Sequence, residues 1–166
     1  MPKPIERSTY VLLSSVILLL LFWQWRPLPA IVWDAQAPLL GSVLVGLFGL
    51  GWLIVLLSTF MINHFDLFGL RQVALFFQHQ PYTPVAFVTR GLYKFIRHPI
   101  MLGFLIAFWA TPLMTVGHLM FAVITTAYIL VAIQFEEHDS LEAHPGTYEQ
   151  YRRDTSMFIP RPRAKR

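Results

Sequence analysis

Residues 99–135 read PIMLGFLIAFWATPLMTVGHLMFAVITTAYILVAIQF, a run without Asp, Glu, Lys or Arg and with His118 as its one histidine. A helix crossing a bilayer needs about 20 largely apolar residues. The run is therefore too long for one crossing, and Thr111, Pro112, Thr115 and Gly117 near its middle are residues that interrupt a helix. The spacing predicts two membrane helices in a tight hairpin, over 99–115 and 117–135, the second prolonged beyond the bilayer to about 143.

Two further uncharged runs, residues 8–25 and 35–63, each suit one more crossing. The fold class that follows is an all-α integral membrane protein. It has about four transmembrane helices, near 10–26, 38–61, 99–115 and 117–143, with a loop over 62–98 and a tail over 144–166, all in one membrane domain spanning 1–166. Composition agrees: 55% of the 166 residues are hydrophobic and 13% charged, about half the charge of an ordinary soluble domain. The first run also has the basic start of a signal peptide in Lys3 and Arg7. It leads, however, into the bulky FWQWRPLP rather than a small-residue cleavage site, which favours a retained helix. Lys and Arg gather at the N-terminus (Lys3, Arg7), in the 62–98 loop (Arg71, Arg90, Lys94, Arg97) and in the tail, which places both termini and that loop in the cytoplasm. The sequence has no cysteine, hence neither disulfides nor thiol chemistry of its own. A pI near 9.7 fits attraction to anionic lipid. The basic residues flank membrane segments without a base-reading motif, which excludes nucleic acid as the expected partner.

Ser42, Gly46 and Gly49 form a small-residue stripe on the second helix, suited to close packing within or between chains; oligomeric state is not legible from it. NHFDLFGLRQVALFFQ, residues 63–78, mixes aromatic and charged residues, as an extension of the second helix or a segment along the interface does. PYTPVAFVTRG, residues 81–91, reads as a loop with a short extended piece. After the last helix, Pro145 and Gly146 make a stop, and Thr147 with Gln150 has the form of a capping box opening a short amphipathic tail helix. Tyr148 and Tyr151 then share one face.

The groups able to do chemistry cluster. Arg97 and His98 open the third helix, with Pro99 at its first position, where the missing N–H costs nothing. Glu136, Glu137, His138 and Asp139 close the fourth. In an antiparallel hairpin both groups meet at one surface, where a zwitterionic ligand finds a cation, free helix N–H groups and a carboxylate. Side by side with that reading stands a structural one, in which the basic side chains snorkel to lipid phosphates and the glutamates are merely solvated. His138, Asp139 and His144 match no strong metal-ligand spacing, so no metal is expected. Isolated His64, His79 and His118 suit structural roles.

Gly91-Leu92-Tyr93, Arg97-His98-Pro99, Gly103, Glu136-Glu137, Leu141, Tyr148-x-x-Tyr151 and Phe158-Ile159-Pro160 together resemble the C-terminal signature of the isoprenylcysteine carboxyl methyltransferase superfamily, which includes phospholipid methyltransferases. ERSTYVLL, LLFWQWRPLP, NHFDLFGLRQV, LIAFWATP, MTVGHL and AYILVAIQFEE extend the likeness over about residues 5–160 to the bacterial methanethiol S-methyltransferase subfamily. Two departures stand out. Additional membrane sequence precedes the ERSTY-like element in the family, which implies a chain shortened in its N-terminal membrane portion. Met101 stands where many members have Tyr.

The resemblance implies S-adenosylmethionine as cofactor and a small thiol, methanethiol, as methyl acceptor, in a bacterial inner membrane with lipid around it. It implies a cofactor site of Tyr93, Arg97, His98, Pro99, Gly103, Glu136, Glu137, Tyr148 and Tyr151. Since the thiolate is the nucleophile, a base is needed: His98 is the first candidate and His64 the second, with Arg97 stabilising the thiolate. Two other functions stay open at this point: methylation of a lipid amine or carboxylate on the same fold, and a non-catalytic membrane accessory subunit whose charged groups only anchor headgroups.

Overall fold

The computed structural model describes residues 3–62, 65, 68–82 and 89–160. In chain order these form α1 (Lys3–Gln24), β1 (Ile31–Asp34), α2 (Pro38–Met61), α3 (Leu70–Phe77), a 3-10 turn (Gly91–Lys94), α4 (Pro99–Trp109), β2 (Leu113–Thr115), α5 (Val116–Ala143) and α6 (Thr147–Asp154). They fall into two compact units, one from Met1–Pro27 with Ile62–Val88, the other from Leu28–Met61 with Thr89–Arg166.

In the first unit α1 packs on α3. Gly69 turns the chain into α3 through a left-handed conformation, φ 75°, and its carbonyl accepts from Ser8 Oγ at 2.9 Å. Arg71 lies 5.4 Å from the centroid of the Tyr82 ring, a cation–π contact. The 63–78 stretch thus holds a separate short helix rather than a prolongation of α2. The extended piece expected near PYTPVAFVTRG falls largely on residues 83–88, outside the described residues.

The second unit is built on α2 and α5, both long and apolar enough to cross a membrane. Leu39, Val43, Leu50, Leu53 and Leu57 of α2, and Val123, Ile124 and Val131 of α5, are exposed. Side chains of this kind left outside a core require an apolar solvent, and the protein is a membrane protein. α2 and α4 meet backbone to backbone: a Cβ built at Gly51 would lie 2.7 Å from Gly103 O and Ala107 N, and one at Gly103 2.7 Å from Gly51 O. The expected stripe does not do this work, for Gly46 and Gly49 face open space. Close packing falls instead on Gly51, whose partner across the crossing is itself a glycine.

The hairpin differs from expectation at its far end. α4 stops at Trp109, and its 11 residues rise about 16 Å, roughly half of a bilayer core. α5 rises about 31 Å from Glu137 back to Val116. Residues 110–115 cover the difference in extended form, because Pro112 cannot donate to a helix and disfavours helical geometry at Thr111. This brings in the one pair of strands among the described residues, a departure from an all-α fold. β2 pairs antiparallel with β1, Ile31 opposite Thr115, Trp33 opposite Met114 and Asp34 opposite Leu113, with an irregularity between Ile31 and Trp33. Non-helical backbone at such depth has to be satisfied by protein, and it is. Ala35 N donates to Pro112 O at 2.7 Å, Val116 N to Ala30 O at 2.8 Å and Trp33 Nε1 to Thr111 O at 3.1 Å. His118 Nε2 lies 2.8 Å from Phe108 O, and Thr115 Oγ1 caps α5 by accepting from His118 N. His118 has the structural role its isolation implied.

Candidate active site

At the other end of α4 the chain is held by its own C-terminal portion. Gly91 begins the 3-10 turn with φ +53°, a left-handed conformation that favours glycine, and a Cβ there would press on the flexible end of the Met61 side chain. Residues 96–98 then run beside residues 156–157: Ile96 bridges Ser156 in parallel, Arg97 N donates to Ser156 O at 2.8 Å and His98 N to Met157 O at 3.3 Å. Pro99 is fully buried at the first position of α4.

Glu137, from the last turns of α5, is the centre of the cluster. Its carboxylate takes Arg97 Nε at 2.8 Å and His98 Nε2 at 3.1 Å on Oε1, and Arg152 Nε at 3.2 Å on Oε2. The Glu137 and Arg97 side chains are 5% and 9% exposed. A buried carboxylate survives through such pairing. Its neighbour Glu136 is 56% exposed and approaches the other face of the imidazole, Oε2 3.5 Å from His98 Nδ1. Successive residues on a helix point about 100° apart, and here one glutamate is inside and one at the rim.

Arg97 is spent on structure as well as charge. Its Nη1 donates to Arg152 O at 3.1 Å and to Thr155 O, the last carbonyls of α6, where a cation is favoured by the helix dipole. Tyr151 Oη donates to Tyr93 O at 2.7 Å, pinning α6 to the 3-10 turn, and its ring meets Tyr148 edge-on at 5.8 Å. α6 starts otherwise than expected: Gly146, at φ 78°, is its N-cap without a side-chain hydrogen bond, and Gln150 donates to Asp154 Oδ2 instead of closing a capping box. Burial, with Glu136 adding to it, pushes the Tyr93 phenol up to about 12. Burial, with Glu137 adding to it, pushes Tyr148 up to about 12, and Tyr151 is raised too, chiefly by burial. All three are phenols at neutral pH, able to donate hydrogen bonds and unable to serve as bases.

The structure therefore gathers Tyr93, Arg97, His98, Pro99, Glu136, Glu137, Tyr148 and Tyr151 in one place. Gly103 faces α2 rather than this cluster, and His64 lies outside the described residues. Sequence reasoning missed Arg152 and the strand-like strap at 155–157. For Arg152 the signal was present: Tyr148, Tyr151 and Arg152 stand at i, i+3 and i+4, one face of a helix.

The profile of the phospholipid methyltransferase family matches residues 41–145. Methanethiol S-methyltransferase of Mycobacterium tuberculosis is 60% identical over 161 residues, which cover 97% of this chain and 66% of that protein. The protein of that name in Crocosphaera subtropica is 55% identical over 96% of this chain and 62% of its own length. Methanethiol S-methyltransferase 2 of Bradyrhizobium diazoefficiens is 56% identical over 100% of this chain and 64% of its own. The chain thus spans a little under two thirds of these relatives. No solved structure matches it.

Proposed function

This chain belongs to the phospholipid methyltransferase family, and from that premise we propose that it transfers a methyl group from S-adenosylmethionine to methanethiol, giving dimethyl sulfide. The observation that carries the reading is the buried Glu137 carboxylate shared by Arg97, His98 and Arg152 with Glu136 at the rim, in a chain so similar to proteins named for that reaction. The donor set suits a zwitterionic sulfonium. Glu136 offers a half-exposed carboxylate to a cation, the Arg152 guanidinium a partner for an anion, and the rings of Tyr93 and Tyr148 apolar faces. Bound there, S-adenosylmethionine supplies an electrophilic methyl carbon on a positively charged sulfur.

The chain's own residues then have separable tasks. A carboxylate only accepts hydrogen bonds, so Glu137 Oε1 fixes the proton of neutral His98 on Nε2 and leaves the lone pair on Nδ1. His98 Nδ1 takes the thiol proton, and Glu136, 3.5 Å away, steadies the imidazolium so formed. Arg97 acts by holding Glu137 and the end of α6 in place rather than by touching the thiolate. Pro99 fixes the start of α4 beside them. The acceptor, small and apolar, arrives through the surrounding lipid. In this reading the chain makes four crossings, by α1, α2, α4 completed by residues 110–115, and α5. Both termini and residues 62–98 then lie on the cytoplasmic side of the inner membrane.

The test is headspace detection of dimethyl sulfide from methanethiol and S-adenosylmethionine, using the detergent-purified chain beside His98→Ala. We expect product from the unaltered chain and about a 10²–10⁴-fold lower rate from the variant. A folded chain that makes no product and binds no S-adenosylmethionine sinks the reading.

A further inference from the structure

The two guanidiniums on Glu137 are not equivalent. Arg97 is nine-tenths buried, and its Nε and Nη1 are committed to Glu137, Arg152 O and Thr155 O. Arg152 is half-exposed, and its Nε alone is paired, with Glu137 Oε2 at 3.2 Å. Among the described residues nothing accepts from its Nη1 or Nη2. A guanidinium held beside a buried carboxylate by charge, with its outer N–H groups open, keeps its fork available at the rim. Such a fork suits two parallel hydrogen bonds to one carboxylate.

Charge points the same way. Glu137 carries one negative charge against two guanidiniums, so the inner cluster has a cationic excess on the Arg152 side, while Glu136 puts a carboxylate at the rim beside His98. One cationic and one anionic group open to the same region match an amino-acid zwitterion. We propose that Arg152 binds the α-carboxylate of the methionyl part of the methyl donor and sets the site's preference for an amino acid-bearing sulfonium. This rests on S-adenosylmethionine being the donor. A phosphatidylethanolamine headgroup offers the same pairing, an anionic phosphate beside an ammonium, and the titration below separates the two sources.

The experiment is calorimetric titration of S-adenosylmethionine and of its decarboxylated counterpart into the unaltered chain, Arg152→Gln and Arg152→Lys. The unaltered chain is expected to favour the carboxylate-bearing ligand by about 10- to 100-fold, the value of a charge-assisted hydrogen-bonded pair. In Arg152→Gln that preference collapses because only the first ligand weakens, and Arg152→Lys keeps part of it. Because both ligands are titrated into one preparation, a loss of folded protein leaves their ratio unchanged. A preference retained in Arg152→Gln, or an equal weakening of both ligands, overturns the assignment, as does a loss confined to retention on phosphatidylethanolamine vesicles. If the unaltered chain binds neither ligand, the donor reading falls and this inference with it.

Discussion

At its N-terminus α4 opens onto charged side chains, Arg97, His98 and Glu137, which it shares with α5 and α6; at its C-terminus its carbonyls close against His118 and the β1–β2 pair. Both ends face the same physical demand, since a helix leaves unpaired backbone groups at each terminus. The far end answers it with partners from the chain itself: His118 Nε2 lies at Phe108 O, Trp33 Nε1 donates to Thr111 O and Ala35 N to Pro112 O. The near end answers it with ionisable groups in excess of structural need, among them the rim carboxylate of Glu136 and the outer nitrogens of Arg152. A site capable of chemistry is distinguished here by what its hydrogen bonding leaves available, and less by burial or polarity alone.

Glu137→Ala gives the sharpest test of this contrast. It leaves Arg97, His98 and Arg152 around a buried void, and we expect about 3–5 kcal/mol of lost stability in detergent unfolding together with loss of activity. Gly103→Ala comes next: its methyl group has to fit where Gly51 O lies 2.7 Å away. About 1–3 kcal/mol should be lost, whereas Gly49→Ala, in open space, should be neutral or mildly stabilising. If Gly103→Ala instead weakens cofactor binding at unchanged melting temperature, Gly103 belongs to the site and not to the helix crossing. At the far end, His118→Phe strands Phe108 O for about 1–2 kcal/mol, and kcat and KM for the surviving folded protein should stay as they were.

The smallest effect is a pH dependence. Tyr93 and Tyr148 are raised to about 12, above the value near 10 of an unfolded tyrosine. The unfolded chain therefore loses its phenolic protons first as pH rises. The stability linked to these groups is intact below pH 10 and is lost as pH climbs from there through about 12. Melting temperature and phenolate absorbance recorded together should show late-ionising tyrosines whose titration coincides with unfolding. Glu136→Gln should move the Tyr93 step to lower pH.

Much of this was legible in the sequence because it depended on period and charge. α2 lies within the uncharged run at 35–63, the end of α5 obeys Pro145 and Gly146, and Arg97, His98, Glu136 and Glu137 meet as an antiparallel arrangement requires. What escaped depended on partners remote in the chain. Leu113, Met114 and Thr115 read as the middle of an apolar run, and only Ile31 to Asp34, far away in sequence, make them a strand. Within the chain the point of contact also lay outside the stripe: spacing shows that Gly46 and Gly49 share a face with Ser42, but only the partner backbone shows that Gly51 meets α4. Which glutamate turns inward depended on the rotation of α5, fixed by its packing and not by local pattern. Arg152 was hidden by its setting in a basic tail.

The pairing of Ile31 with Thr115 and of Asp34 with Leu113 also has a consequence for biogenesis. The two strands leave the ribosome some eighty residues apart, an interval of roughly 4–16 s at ordinary rates of synthesis. For that time the first strand waits with an open edge, and an open edge invites pairing with the wrong chain. A nascent chain arrested after α4 therefore leaves that edge of β1 unpaired, whereas in one arrested after α5 it is paired with β2. Quality control in the membrane has a physical feature by which to tell the two apart.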